Sequence, residues 1–303
     1  MLGKEAGQER PGTNTALDDQ HLLMSIAFRM LGSTHDAEDV VQETYARWYA
    51  LPESARAEIE KPAAWLVRVV GRVCLDHLGS ARMRRERYTG QWLPEPLPDD
   101  AVWSSVRPSG LDPAEQAALD DSITMGMLVL LDSLTPAQRV AFVLHDVFKV
   151  PFAEIASTVG RSPESCRALA VAARRGLGSA RKNEADVQGY RAVIKEFKKA
   201  CQTGELNELI GLLDPHVTAR ADGGGHVRAA LQPIHGAEKT ARYLVGSLKK
   251  RSELSVEFST AARRPALVCR AEGVVVAVVS LHVVDRRITD VWVVMNPEKL
   301  AHW

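Results

Sequence analysis

The spacing of apolar residues changes once along this chain, and that change restricts the fold more than any other feature. From Asp19 to about residue 180, apolar side chains recur every three or four positions, as in Leu22, Leu23, Ile26, Ala27, Met30 and Leu31. This is the period of a helix with one buried face. One or two further helices follow at Tyr190–Gln202 and Leu206–Leu213. The pattern then shifts to β-branched runs at Val217–Ala221, Ser255–Thr260, Ala266–Ala271, Val274–Val284 and Ile288–Met295, with a helix at Ala237–Lys250 between the first two. Helices first and strands afterwards predict an α+β domain at the end, not a βαβ repeat. The most apolar run, GVVVAVVSLHVV (Gly273–Val284), is too short to span a bilayer and reads as a buried strand.

At 303 residues the chain is too long for one ordinary domain. Residues 88–113 carry five prolines and few periodic apolar positions, so they read as a linker. Trp92, Leu93 and Trp103 within it are anchors that a free linker would not need. The resulting partition is a disordered arm over 1–17, a helical domain over 18–88, a proline-rich acidic linker over 89–113, a second helical domain over 114–183 and an α+β domain over 187–303. The arm has no apolar stretch of the signal-peptide kind.

The 38 basic and 38 acidic residues cancel in total but are sorted along the chain. Residues 1–60 hold 5 basic and 11 acidic groups, 61–90 hold 7 and 2, 91–135 hold 1 and 8, and 136–185 hold 8 and 4. Blocks of opposite sign predict different partners for different surfaces, with a polyanion confined to the two basic blocks. Cys74, Cys166, Cys201 and Cys269 form no CxxC pair, and each sits in an apolar pattern, so they read as buried thiols in a reduced, intracellular setting. No metal-ligand set and no cofactor motif is evident.

Three segments carry the functional signal. In DAEDVVQETYARWYA (Asp36–Ala50), Ala37, Val40, Val41, Tyr45 and Trp48 share one helical face, while Glu38, Asp39, Gln42 and Glu43 lie around the other. That polar face is either solvated or one half of a contact with a basic partner. A helix starting at Pro62 buries Trp65, Leu66, Val69, Val73 and Leu78 and ends in Arg82, Arg84, Arg85 and Arg87. In VPFAEIASTVGRSPESCRALAVAARR a short helix, a turn at Gly160, a cap at Ser162 and a second helix from Pro163 predict a helix-turn-helix. Glu164, Ser165, Arg167 and Ala168 would meet base edges, and Arg174, Arg175, Arg181 and Lys182 would meet phosphates. The alternative is an ordinary helical hairpin with a solvated basic face.

In this order, these segments resemble a bacterial RNA polymerase sigma factor of the extracytoplasmic-function type, over about residues 18–183. The resemblance implies that Asp36, Glu38, Asp39, Gln42 and Glu43 meet the clamp helices of the core RNA polymerase largest subunit. It implies that Arg68, Arg72, Asp76, His77, Arg82, Arg84 and Arg85 melt the minus-ten element of promoter DNA and capture a base. Many members have Asn where Arg72 stands, and often a basic residue near Leu169 and Val171, both apolar here.

TGQWLPEPLP, ADGGGHVRAA (Ala221–Ala230) and NPEKL (Asn296–Leu300) resemble elements of the subgroup with a fused SnoaL-like domain, apart from His226 in place of Lys and Glu298 in place of Asp. The expected fold is two all-α sigma domains, the second with the helix-turn-helix, followed by an α+β SnoaL-like cone. The subgroup implies regulation in cis. Asp222, Gly223, Gly224, Gly225 and His226, with Asn296, Pro297, Glu298 and Lys299, are expected to contact the sigma domains or the linker at Trp92, Leu93 and Pro94. The expected function is transcription initiation in the cytoplasm, without catalytic residues, cofactor or membrane. The competing reading is a ligand-sensing or enzymatic domain, with Asp222, His226, His235 or His282 as acid–base groups and the helical half as a DNA-binding accessory.

Overall fold

The computed structural model describes residues 13–86, 88–101, 120, 122–178, 187–249 and 253–303. Helix α1 (Thr13–Leu31) begins inside the stretch expected to be a disordered arm and takes in its residues 13–17. It is followed by α2 (Thr34–Tyr49), a short α3 (Glu53–Ala57) and α4 (Pro62–Glu86). Ser33 caps α2 by accepting from the Asp36 N–H at 3.3 Å. Leu66, Val70, Val73, Cys74 and Leu78 of α4 are fully buried, and Trp65 and Val69 only partly.

After the linker come α5 (Met125–Asp132), α6 (Pro136–Phe142), a π-helical turn (Val143–Val147), α7 (Phe152–Val159) and α8 (Pro163–Gly178). The helix expected over Ala114–Ser133 is interrupted: residues 122–124 form a turn, and Thr124 caps α5 through the Met127 N–H. Residues 102–119, including Trp103, and Arg181 and Lys182 lie outside the described residues. α6 opens with a capping box between Thr135 and Gln138. Gly160 ends α7 in a left-handed conformation at φ 70° and turns the chain into α8.

The two helical segments do not stand apart. One apolar core runs from Leu23 and Phe28 of α1 through Val40 of α2 and Val70 of α4 to Leu144, Ile155 and Ala170. Gly71 lies where α4 crosses α7, and a Cβ there would come within 2.9 Å of Thr158 and 3.1 Å of Leu144. The contact therefore depends on a residue without a side chain.

The C-terminal part starts with α9 (Val187–Thr203) and α10 (Leu206–Leu212). Strands β1 (Leu213–Asp222), β2 (Ile234–His235), β3 (Ser255–Ala261), β4 (Arg264–Ala271), β5 (Val274–Val284) and β6 (Arg287–Val294) form one sheet, with α11 (Ala237–Lys249) after β2. The order is β2-β1-β6-β5-β4-β3. Only β1 and β6 run parallel; the other neighbours are antiparallel. Alternate residues of β4, β5 and β6 serve different cores. Leu267, Ala277 and Val291 face α9 and α11, whereas Val268, Val278 and Trp292 face Leu93 of the linker and Met125 of α5. The sheet is thus helix-covered on one side and seats the helical half on the other.

Candidate functional site: a linker gripped from two sides

Residues 88–98 are an extended strap, not a free linker. Leu93, Glu95 and Leu97 are buried, at 1%, 4% and 2% exposure. On one side the strap meets the α1–α2 corner. The Glu95 N–H donates to Gly32 O at 2.8 Å, and the Glu95 carboxylate accepts from the Thr34 N–H at 2.7 Å and the Thr34 hydroxyl at 2.8 Å. Gly32, at φ +71°, leaves room for Trp92 and Pro94, which would lie 3.0 and 3.3 Å from a Cβ.

On the other side the strap meets the end of the sheet. Parallel pairing sets Asp222 beside Val294. Just beyond β6, Asn296 caps a single turn of 3-10 helix (Pro297–Lys299) that carries Lys299 back to Asp222. Asp222 is fully buried, and its carboxylate is saturated with donors. Oδ1 accepts from Tyr88 Oη at 2.6 Å and the Gly224 N–H at 3.0 Å; Oδ2 accepts from the Leu93 N–H at 2.9 Å and Lys299 Nζ at 2.7 Å. Lys299 Nζ also donates to Leu93 O and lies over the rings of Trp92 and Tyr88 at 4.3 and 5.2 Å. Burial, followed by the Asp222 hydrogen bond, pushes the Tyr88 hydroxyl well above the usual tyrosine range, so it stays a donor.

The expected glycines each have a steric role. A Cβ on Gly224, at φ +64°, would fall 2.4 Å from Asn296, whose amide donates to Tyr88 Oη at 2.9 Å. A Cβ on Gly223 would strike Val227 O, and one on Gly225 would lie 3.3 Å from Thr89. His226 and Glu298 form only an exposed pair at 3.5 Å. Farther along, Trp303 Nε1 donates to Pro96 O at 2.8 Å, and Ala262 N–H donates to Leu97 O at 2.8 Å. Tyr88 and Trp303 were not expected from the sequence; a lone Tyr or Trp has no pattern that marks it.

The residues expected to meet polymerase lie on α2. Glu38, Asp39 and Gln42 are exposed, and Asp36 is half-buried. Glu43 is already engaged, with Arg47 at 2.6 Å and His77 at 3.8 Å. On α4, Arg68 is half-buried, and Arg72 pairs with Asp76 at 3.5 Å. The Arg72 guanidinium comes within 3.9 Å of a Cβ built on Gly160, so the helix-turn-helix turn sits against the expected melting helix. The side chains of Arg82, Arg84 and Arg85 lie outside the described residues. On α8, Glu164, Arg167, Ala168 and Arg175 are exposed and Ser165 is half-buried. Arg174 is tied to Asp146 at 2.6 Å. The Glu164 carboxyl is held below the usual range by its own backbone N–H and then the Ser162 hydroxyl.

Two further side chains join the helical halves, and neither was expected. Arg29 of α1, 1% exposed, donates to Ser122 Oγ at 2.7 Å and Ser25 O at 2.9 Å and lies over Phe148 at 5.4 Å. Burial lowers its pKa to about 9, which leaves it charged at neutral pH. Arg139 of α6 donates to Met30 O at 2.8 Å and to Asp132 at 2.7 Å.

The four acid–base candidates are not gathered into one site. Asp222 is saturated in the strap contact, His226 faces Glu298, His235 meets Thr218 at 3.3 Å, and His282 meets Thr289 at 2.9 Å.

Comparison with known proteins matches this geometry. Residues 17–84 fit the model of Sigma-70 region 2, and residues 125–177 fit that of Sigma-70, region 4. The chain is 33% identical over 297 residues to the ECF RNA polymerase sigma factor SigJ of Mycobacterium tuberculosis, covering 93% of this chain and 90% of that protein. It is 32% identical to the probable ECF sigma factor SigI of the same species, covering 92% and 91%. The crystal structure of SigJ superposes with a TM-score of 0.72 at 30% identity, covering 96% of this chain and 98% of that one. This chain belongs to the sigma-70 family of RNA polymerase sigma factors, in its extracytoplasmic-function branch. The superposition on SigJ extends through the α+β domain behind the helix-turn-helix, the domain whose sequence resembles the SnoaL-like type.

Proposed function

We propose that this sigma factor exists in a closed form in which its C-terminal domain restrains its own sigma module in the cytoplasm. The observation that carries the reading is the strap. One extended segment is gripped by Gly32 and Thr34 of the first helical domain and by Asp222 and Lys299 of the third. Meanwhile α4 and the helix-turn-helix pack on each other at Gly71 and Gly160. A sigma factor must place two basic helices on DNA at separate points, and helices that cover one another cannot both do so. A domain tethered in cis has a high effective concentration, so a modest interface suffices to hold the module shut.

In the open form, the exposed Glu38, Asp39 and Gln42, with Asp36 and Glu43, meet a basic surface of core RNA polymerase. The Arg68–Asp76 face with His77 and the arginine-rich end of α4 engage the opened promoter strand. Glu164, Ser165, Arg167 and Ala168 read base edges while Arg174 and Arg175 meet phosphates. Electrostatic matching of this kind sets specificity and on-rate.

The test is double charge reversal, Glu38→Lys with Asp39→Lys; both side chains are exposed, so the fold is spared. Core-polymerase binding should fall about a hundredfold, with the circular dichroism spectrum unchanged. Unchanged binding overturns the assignment of that face. For the restraint, in-vitro transcription with a chain ending at about residue 205 should differ from that with the full chain; equal activity overturns it.

A further inference from the structure

The sheet face turned away from the strap encloses a space that the strap contact does not use. Leu267, Cys269, Ala277, Val279, Val293 and Met295 line a cavity of about 570 Å³ there, roofed by α9 and α11. That volume falls within the roughly 300–1,000 Å³ of small-molecule sites. The small side chains of Ala229 and Ala277, and Gly246, leave the room that larger residues would fill. Burial, and then the neighbouring Cys269, push the Cys201 thiol up to about 12, so it is inert. Among the described residues the lining holds no carboxylate, and its only charged members are Arg228 and Arg242, both exposed and therefore at the mouth. Glu238 neutralises Arg242 at 2.6 Å. Arg228 has no ion-pair or hydrogen-bond partner among the described residues.

An apolar chamber with one uncompensated cation at its entrance matches one chemistry. We propose that the cone binds a small amphipathic organic anion, with its apolar body between the sheet, α9 and α11 and its carboxylate at Arg228, and that occupancy is coupled to the strap. The route of coupling is short. Arg228 and Ala229 border the cavity, and together with Gly223, Gly225 and Val227 they border a cleft shared with Thr89 and Gly90 of the strap. Moreover, the strands that present Val279 and Val293 to the cavity present Val278 and Val294 to the core under Leu93. A ligand that moves either element acts on the seat of the strap, and linkage makes the effect reciprocal. The coupling rests on the restraint proposed above; the binding site does not.

Calorimetric titration of the full chain with decanoate, decanamide and decylammonium tests the site. Decanoate should saturate one site, decanamide should bind about tenfold more weakly, and decylammonium should not bind. Arg228→Gln should bring decanoate down to the level of decanamide and leave decanamide unchanged; the residue is exposed, so this variant folds. Ala277→Phe should abolish both. No saturable decanoate binding, equal binding of the three head groups, or binding untouched by Arg228→Gln overturns the site. Coupling is read as a several-fold difference in decanoate affinity between the wild-type chain and Asp222→Asn, and equal affinities overturn it. Neither readout involves polymerase, so failure here is distinct from failure of the restraint, which transcription by the truncated chain decides.

Discussion

Two interfaces join the parts of this chain, and they use buried charge in opposite ways. At the strap, both ions belong to the same domain. Asp222 and Lys299 are already paired, and the strap adds neutral groups, the Leu93 N–H and C=O and the Tyr88 hydroxyl. Between the helical domains, single arginines reach across. Arg29 bonds the Ser122 hydroxyl, and Arg139 bonds the last turn of α1 through Met30 O. Yet separation leaves each of these groups a partner of its own. Asp222 keeps Lys299, Arg139 keeps Asp132, and Arg29 keeps Ser25. An unpaired buried charge is the costly outcome; Asp222 and Arg139 avoid it through ion pairs within their own domains, and Arg29 keeps the neutral acceptors of Ser25. This is what the proposed opening and closing requires, with the strap contact carrying the preassembled polar centre and the helical contact carrying most of the apolar core.

The sharpest way to break this symmetry is Asp222→Asn. It leaves the Lys299 ammonium buried against a neutral amide, a defect that costs about 3–5 kcal/mol. Exchange of the Leu93 amide, which donates to Asp222 at 2.9 Å, should accelerate by at least a hundredfold. Adding Lys299→Met should recover part of the loss, because no lone charge then remains. If the single variant exchanges like the wild type, the strap is not held by this pair.

Gly71→Val breaks the other interface. Its branched side chain would enter a space where even a Cβ lies 2.9 Å from Thr158, a strain of about 1–3 kcal/mol. The separation between labels on α4 and α8, measured by energy transfer, should increase, while Leu93 amide protection is retained. Loss of both together would show that the two interfaces are one cooperative unit.

The contrast also explains what could be read without coordinates. Gly223–Gly225 and NPEKL could be singled out because they are local strings that resemble elements of the subgroup, and a run of three glycines advertises close approach. The helix-turn-helix was legible for the same reason: Gly160, Ser162 and Pro163 are adjacent. Arg29 and Arg139 were not, since each sits in an apolar helix and its partners, Ser122 and Met30, lie 93 and 109 residues away. Nor does an acidic, proline-rich strap show that Glu95 will be buried: the burial comes from the α1–α2 corner, which sequence periodicity does not place. The cavity was equally hidden, because Ala277 and Cys269 read as ordinary strand residues until the sheet curves around them.

Glu95 gives the smallest and most discriminating effect. Burial raises its pKa above the usual 4.5, opposed by the Thr34 hydrogen bonds and by His302 and Lys299. A carboxyl raised in the folded state binds its proton more tightly there than in the unfolded chain. The folded chain is thus favoured below the ordinary pKa and loses that contribution as pH rises through the raised value. Glu95→Gln should therefore remove a downward slope of stability with pH that begins near 4.5 in the wild-type chain. Its amide oxygen still accepts from the Thr34 N–H, and its NH2 can donate to the Thr34 hydroxyl, so stability at pH 7 should be equal or slightly higher. Melting temperatures of both chains between pH 4 and 7.5 check this. A variant that melts lower than the wild type across the whole range would mean that the carboxylate charge itself, facing His302 at 4.0 Å, holds the corner. That outcome would move the polar centre of the strap from the sheet side to the α1–α2 side.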